Sequence, residues 1–473
     1  MGLDKKDLEL IKVLEELGPQ YWDFVEEDTH QYTHGFHNYP AVMVSPISRN
    51  IIRIVKGIRE VDSVFDPFVG SGTVMVEAML SGVSVVGGND INPLALLLTK
   101  VKTTVIPNKQ LKNECEKLLN NIKSEYEESK DIYESADDVV KGMGYSLTDK
   151  KGWATNAHDI LLEVLKDYPH ELPIDNFFNM GFWFKPRVLL FIELIKKHIL
   201  EISNNDIRDF CFVALSETIR LASNKKNGEF KLYRMWPEKV EVFRPDVIKT
   251  FSSILNRNVV KMKDFEDAMT TKPKVNIYCE NTKILDSVKE KYDLIITSPP
   301  YGDSRTTVAY GQYSRLSLQL INLNDMKEKE IIDIDKTLMG GVKYTKGFNN
   351  ALPSKTLAES LNKISAIDLE RAGDVFSFYK DLDETIKSIS KKTNIGGYQF
   401  WVVGNRTVKN EYLSTDKILA ELAEQYGLVH VYTCDRNIPN KVMPSLNSPT
   451  NEVGKKVQTM CKENIVVLKK VSD

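Results

Sequence analysis

Apolar residues follow two spacings along this chain. Short, nearly unbroken apolar runs predict strands at Ser63 to Phe65, Val83 to Gly87, Lys274 to Cys279, Leu294 to Ile296, Tyr398 to Val403, Val429 to Thr433 and Asn464 to Lys469. Between them, apolar positions recur at helical spacing over Asp4 to Leu17, Ser48 to Ile58, Val74 to Leu80, Phe376 to Ser390 and Thr415 to Gln425. A further helix opens at Pro93, whose missing N–H is not needed in a first turn, and reaches Lys102. Strand–helix alternation predicts an α/β fold: a doubly wound, mostly parallel sheet covered on both faces. The last strand reads as a hairpin partner.

Two stretches interrupt the alternation. Residues 105–272 are a helical insertion, with a long acidic stretch from Gln110 to Asp138 and apolar helices at Lys185 to Ile199 and Asp206 to Ala222. Residues 302–372 read as loop-rich, and a long irregular segment inside a domain is a candidate target-recognition surface. Residues 1–104 and 273–473 then form the main domain.

Two predicted strands run into turns that carry chemistry. After Ser63-Val64-Phe65 comes Asp66-Pro67-Phe68-Val69-Gly70-Ser71-Gly72-Thr73: an acid, a glycine turn, and a helix opened by Thr73. The strand after that helix ends at Gly88-Asn89-Asp90. This is a nucleotide-binding βαβ unit, in which glycines let the backbone approach a ligand and Asp90 sits where ribose hydroxyls need an acceptor. Gly70-Ser71-Gly72 lacks the third glycine of a dinucleotide fingerprint, and no Lys-Ser or Lys-Thr makes it a P-loop. The second turn is Thr297-Ser298-Pro299-Pro300-Tyr301-Gly302. Two prolines fix φ and remove two donors, leaving Ser298 and the Pro299 carbonyl as acceptors beside the flat face of Tyr301. A planar base with an exocyclic amine fits such a turn.

Together, Asp66 to Thr73 and Thr297 to Tyr301 resemble the S-adenosylmethionine-dependent DNA amino-methyltransferases (cytosine-N4 and adenine-N6) of bacterial restriction–modification systems. The resemblance implies a Rossmann-like class I methyltransferase fold, S-adenosyl-L-methionine as cofactor and double-stranded DNA as substrate, with the target base flipped out of the helix. It makes a cognate restriction endonuclease a candidate companion. It places Tyr39, Asp66, Pro67, Phe68, Gly70, Gly72, Thr73, Asp90, Asn92 and Asn281 at the cofactor, with His37 and Pro40 near its methionine end. Asn281 stands where family members tend to carry an acid facing the adenine amine, and its side-chain oxygen still accepts. Ser298, Pro299, Pro300 and Tyr301 become the catalytic turn. Serine at its start favours cytosine N4 over adenine N6. Guanine-N2 RNA methyltransferases share a similar fold and a Pro-Pro-Tyr turn, so RNA is a rival substrate. A catalytically silent nucleic-acid-binding protein is a further rival, against which the intact glycine turn and Asp90 argue.

Composition changes this picture little. With 63 basic and 66 acidic residues the net charge is −3, so contact with nucleic acid must come from a local field. Lys225 and Lys231, in a basic run with interleaved aromatics, and Arg305 and Arg315, after the Ser-Pro-Pro-Tyr turn, are candidate phosphate contacts. The five cysteines are scattered without a Cys-x-x-Cys pair, which predicts a reducing compartment and no structural zinc. None follows a proline, which removes the nucleophile that cytosine-C5 methylation would need. His30, His34 and His37 lack a carboxylate or cysteine to complete a metal set, so no metal is expected. No apolar run has the length of a membrane span and the first residues lack a signal core, so a cytoplasmic protein is expected.

Overall fold

A computed structural model describes residues 3–18, 20–168, 172–302, 308–323, 326–342, 352–438, 446–447, 457–458 and 462–473. Seven strands form one sheet: β1 (Ser63–Asp66), β2 (Val85–Asn89), β3 (Lys274–Tyr278), β4 (Tyr292–Thr297), β5 (Thr393–Gly404), β6 (Leu428–Asn437) and β7 (Lys462–Lys470), in the spatial order β3-β2-β1-β4-β5-β7-β6. Strands β3 to β5 across the middle run parallel, and β7 is antiparallel to both β5 and β6. This is the Rossmann-like class I methyltransferase arrangement, with the strand order reversing at β1 and β4.

The two-residue period of a strand sorts its side chains into two cores. Val64, Leu294, Ile296, Phe400, Val402, Ile465 and Val467 face one; Phe65, Ile295, Trp401, Val403, Val466 and Leu468 face the other. Helices α2 (Ser45–Ile58), α3 (Thr73–Leu80) and α4 (Pro93–Thr103) cover the first face. The helices of residues 105–272, among them Pro186–Leu200 and Asn205–Ala222, share that same core, so the insertion is packed onto the sheet layer. Helices Lys355–Ile367, Leu369–Ser390 and Thr415–Ala423 cover the second face.

Helix α1 (Lys5–Glu16) is fastened by charge. Asp4 caps it by accepting from the backbone of Lys6 and Asp7. Asp7, fully buried, accepts from Tyr398 Oη at 2.6 Å and from Lys469 Nζ at 2.7 Å, and Lys469 also reaches Asp4 at 2.6 Å. The first helix is thereby tied to β5 and β7.

One expectation needs correction, and two local features add to the picture. Residues 302–372 are not mainly loop: among the described residues they contain helices Tyr310–Ile321 (α5), Glu328–Thr337 and Lys355–Ile367. Helix α5 buries Tyr313, Leu316 and Leu320, and Asp335 accepts from Gly311 N and Gln312 N at its start. The polar run at 310–315 hid that periodicity. The acidic stretch Gln110 to Asp138 is two helices, Asn108–Glu128 and Lys130–Gly142, parted at Ser129. Gly396 and Gly397 lie inside β5, absorbed by a shift of register against β4 between Tyr292 and Leu294. No helix among the described residues is long and apolar enough to cross a membrane.

Candidate active site

Strands β1 and β4 are hydrogen-bonded neighbours, with Val64 opposite Leu294 and Phe65 opposite Ile295. Both run the same way, so the loops after Asp66 and Thr297 leave the same edge of the sheet. Thr297 Oγ1 donates to Asp66 Oδ1 at 2.8 Å and ties the two exits together. Between these loops lies a cleft open to solvent. It is lined by residues from five places in the chain: Tyr39 to Met43, the glycine turn (Asp66, Phe68 to Ser71, Thr73 and Val74), Asp90 to Asn92, Asn281 to Lys283, and Ser298 with Pro300. Tyr310 and residues 337–339 close it.

The glycine turn is held from below. Gly70 N donates to Asp90 Oδ2 at 3.1 Å, and Asn92 N donates to Asp90 Oδ1 at 2.9 Å, so Asp90 clamps the turn and keeps acceptor capacity to spare. Burial pushes the Asp90 carboxyl above its ordinary range. Gly70 takes φ +49°, and a Cβ there would meet nothing nearer than Tyr39 at 3.8 Å, so the wall is bare backbone. Ser71 Oγ and Thr73 Oγ1, both buried on this wall, have no hydrogen-bond partner among the described residues. Two orphaned hydroxyls beside bare backbone fit a polar nucleoside ligand, since buried polar groups rarely stay unpaired.

Asp66 is buried, accepting on Oδ1 from Phe68 N at 3.0 Å as well as from Thr297. Burial, opposed by those two bonds, pushes its carboxyl up to about 7. Asn92 caps α4 through Oδ1, while its amide reaches Ser314 Oγ at 2.7 Å and Tyr39 Oη at 3.1 Å. Tyr39 in turn stacks on Tyr310 with centroids 6.0 Å apart. Asn281 accepts from Lys283 N at 3.1 Å and keeps a further lone pair toward the cleft.

Ser298 and Pro300 face the cleft; Pro299 and Tyr301 do not line it. Tyr301 sits behind Ser298: Ser298 Oγ donates to Tyr301 Oη at 3.2 Å, and Tyr301 Oη donates to Glu463 Oε1 at 2.9 Å. Burial, and after it the charge of Glu463, push the Tyr301 phenol well above its ordinary range.

The structure thus gathers Tyr39, Asp66, Phe68, Gly70, Thr73, Asp90, Asn92, Asn281, Ser298 and Pro300 on one cleft. Pro67 stands behind the wall, its carbonyl accepting from Thr282 Oγ1 at 3.0 Å. Gly72 is set back as the cap of α3, with φ +88° and little room for a Cβ, since one would lie 3.1 Å from Thr99 Cα. His37 is not on the cleft: it is buried with Nε2 3.5 Å from Glu217 Oε2. His34 is committed elsewhere, bonded to Glu77 at 2.8 Å. Sequence reading missed Lys283, Tyr310, residues 337–339 and Glu463. Ser71 could have been found, since it stands inside the glycine turn.

The candidate phosphate contacts fare differently. Arg305 lies outside the described residues. Lys225 does not suit the role: it is buried, and its ammonium donates to the carbonyls of Lys226 and Glu229, holding its own loop. Arg315 is half-buried, its basicity lowered by burial, with Asp335 and Glu328 nearby. Lys231 is half-buried and acts on Asp335. The same loop exposes Phe230, Tyr233 and Trp236, with Lys226 Nζ 5.5 Å from the Trp236 ring centre.

Comparison with known proteins finds a relative along nearly the whole chain. The sequence is 38% identical over 482 residues to the type II methyltransferase M.MvaI of Kocuria varians, covering 99% of this chain and 98% of that one. A shorter match, 29% identical over 127 residues, is to the type II methyltransferase M.MjaII of Methanocaldococcus jannaschii, covering 26% of this chain and 22% of that one. No family model matches. Superposition on the rRNA methyltransferase aviRa from Streptomyces viridochromogenes covers 92% of this chain and 88% of that one at 8% identity, and its TM-score of 0.28 carries no argument.

Proposed function

The chain belongs to the type II methyltransferases, and from that premise we propose that it is a site-specific DNA methyltransferase acting on the exocyclic N4 of cytosine. The observation that carries this reading is the meeting of the Gly70 turn and Ser298 on one cleft, at the ends of two hydrogen-bonded strands.

S-adenosyl-L-methionine, when bound, supplies a methyl group activated by a sulfonium. The residues that would hold it are those of the glycine-turn side: Gly70 by its bare backbone, Ser71 and Thr73 by hydroxyls that lack a partner, Asp90 and Asn281 by spare acceptor lone pairs. Asp66 adds a carboxyl whose ionisation falls near neutrality.

Double-stranded DNA is the partner this reading implies. A base inside a duplex cannot reach such a cleft, so the target must flip out, at a cost of a few kcal/mol that backbone contacts and stacking offset. A cytosine amine is a poor nucleophile because its lone pair is delocalised into the ring. Ser298 Oγ, which faces the cleft, accepts from one of its hydrogens, favours a tetrahedral nitrogen, and aims the lone pair. Catalysis of this kind is positioning and electrostatics with no covalent intermediate.

The test is incubation of the protein with labelled cofactor and duplex DNA, followed by digestion and nucleoside chromatography. N4-methyldeoxycytidine is expected. N6-methyldeoxyadenosine would reject the base assignment, and incorporation into tRNA but not duplex DNA would reject the substrate. Ser298→Ala should remove turnover while cofactor affinity stays within a few-fold.

A further inference from the structure

We propose that Glu463, a residue of the last strand, sets the hydrogen-bond polarity of Ser298 and thereby makes the target site choose an amine over a carbonyl. This rests on the reading above and extends it to a residue 165 positions from the catalytic turn, a separation obtained as 463 − 298.

The chain of donors starts at Arg436. It is buried, its Nε donates to the Trp22 carbonyl at 2.8 Å, and its Nη1 forms a close ion pair with Glu463 Oε2. Arg436 and Glu463 are directly opposed in the β6–β7 ladder, and Glu463 is also opposed to Gly404 of β5, so the pair is fixed by backbone on both sides. In that ion pair Glu463 is a carboxylate, which can only accept. Glu463 Oε1 therefore takes the one proton of Tyr301 Oη. With that proton engaged, Tyr301 can meet Ser298 only by accepting, and Ser298 Oγ donates to it. Ser298 then has no proton left for the cleft, and what it presents there is lone pairs.

An acceptor-only wall has a chemical consequence. An exocyclic amine satisfies it. A ring carbonyl at the same position sets acceptor against acceptor and leaves both unpaired, a mismatch that costs roughly 10- to 100-fold in affinity. Neither the hydroxyl nor the phenol could impose this alone, because each can donate or accept. The carboxylate at the end of the row decides the direction. Glu463 is thus a positioning residue that acts through Tyr301.

Glu463→Gln reverses the row. Its amide can donate to Tyr301, whose proton then turns to Ser298, and the Ser298 proton turns to the cleft. The experiment measures single-turnover rate, cofactor affinity, and affinity for two duplexes: one with the normal target base, one with its carbonyl counterpart (uracil for cytosine, or hypoxanthine for adenine). Wild-type protein is assayed first: without methylated DNA the proposed function fails, and with it only the role of Glu463 is at stake. Glu463→Gln should lose roughly 10- to 100-fold in rate, keep its cofactor affinity, and lose its preference for the amine-bearing duplex. Tyr301→Phe, which cuts the row, should lose the same preference, and adding Glu463→Gln to it should change nothing further. A wild-type preference in Glu463→Gln, or an additive loss in the double variant, overturns the proposal. Should Glu463→Gln not fold, a preference retained by Tyr301→Phe overturns it equally.

Discussion

Replacing Asp66 by asparagine should stabilise the folded protein at pH 8 while loosening its hold on the cofactor. The side chain is 4% exposed, and both of its hydrogen bonds, from Phe68 N and Thr297 Oγ1, fall on the same oxygen, which an asparagine can keep. Burial pushes the carboxyl from 3.8 to about 7, against the pull of those bonds and helped by the charge of Asp90. Because this acid's folded value lies above its unfolded one, the folded state retains a proton between about pH 4 and pH 7 that the unfolded chain has released. Stability from this group therefore falls as pH rises across that window, and the full penalty is present at pH 8. At about 1.4 kcal/mol per pH unit, the gap corresponds to roughly 4 kcal/mol at most, and to about 2 kcal/mol once relaxation of the buried site is allowed for. Urea denaturation at pH 5 and pH 8 reads this directly: Asp66→Asn should exceed wild type by roughly 2–4 kcal/mol at pH 8, with a smaller margin at pH 5. Cofactor titration should show the opposite ranking, since a sulfonium favours an ionised neighbour, and the wild-type affinity should rise with pH through about 7. A variant no more stable than wild type at pH 8, or a margin that widens on acidification, would refute the reasoning.

Two further substitutions separate ligand contact from architecture. Gly70→Ala and Gly72→Ala both put a side chain at positive φ, a strain of roughly 1–2 kcal/mol. Gly72→Ala should lose more melting temperature because its Cβ meets the Thr99 backbone, and Gly70→Ala more cofactor affinity because its Cβ enters the cleft wall; the reverse ranking would contradict the site. Lys469→Met leaves fully buried Asp7 without its cation and should cost roughly 3–5 kcal/mol in urea denaturation, most of it regained by adding Asp7→Asn. Unchanged stability in the single variant would show that the pair contributes nothing.

The parts of this fold legible in sequence are those governed by local rules. Short apolar runs found the strands, and the glycine and proline turns found two exits of the sheet, because each signal lies within about ten residues. Their convergence followed from topology: parallel neighbours deliver their loops to one edge. What stayed hidden depends on partners far along the chain. The periodicity of α5 was masked by a glycine and several polar residues, and Asp335 at its start could not be guessed from residues 310–315. Lys225 looks like a surface cation in sequence, yet its ammonium closes its own loop. Gly70 and Gly72 look equivalent, but only the first is on the cleft. Glu463 carried no signal at all, being one acid at the start of a strand.

Strand β7 has a consequence for how the molecule comes into being. It is inserted between β5 and β6, and Asp7 and Lys469, the pair that seats the first helix, are 462 residues apart in sequence. During synthesis helix α1 must wait for β7, and closing so long a span is slow. A nascent polypeptide ending short of β7 exposes two open strand edges, a template for aggregation. Glu463 is delivered on that same strand, so a product terminated before it would lack both the seam of the sheet and the group that orients Tyr301.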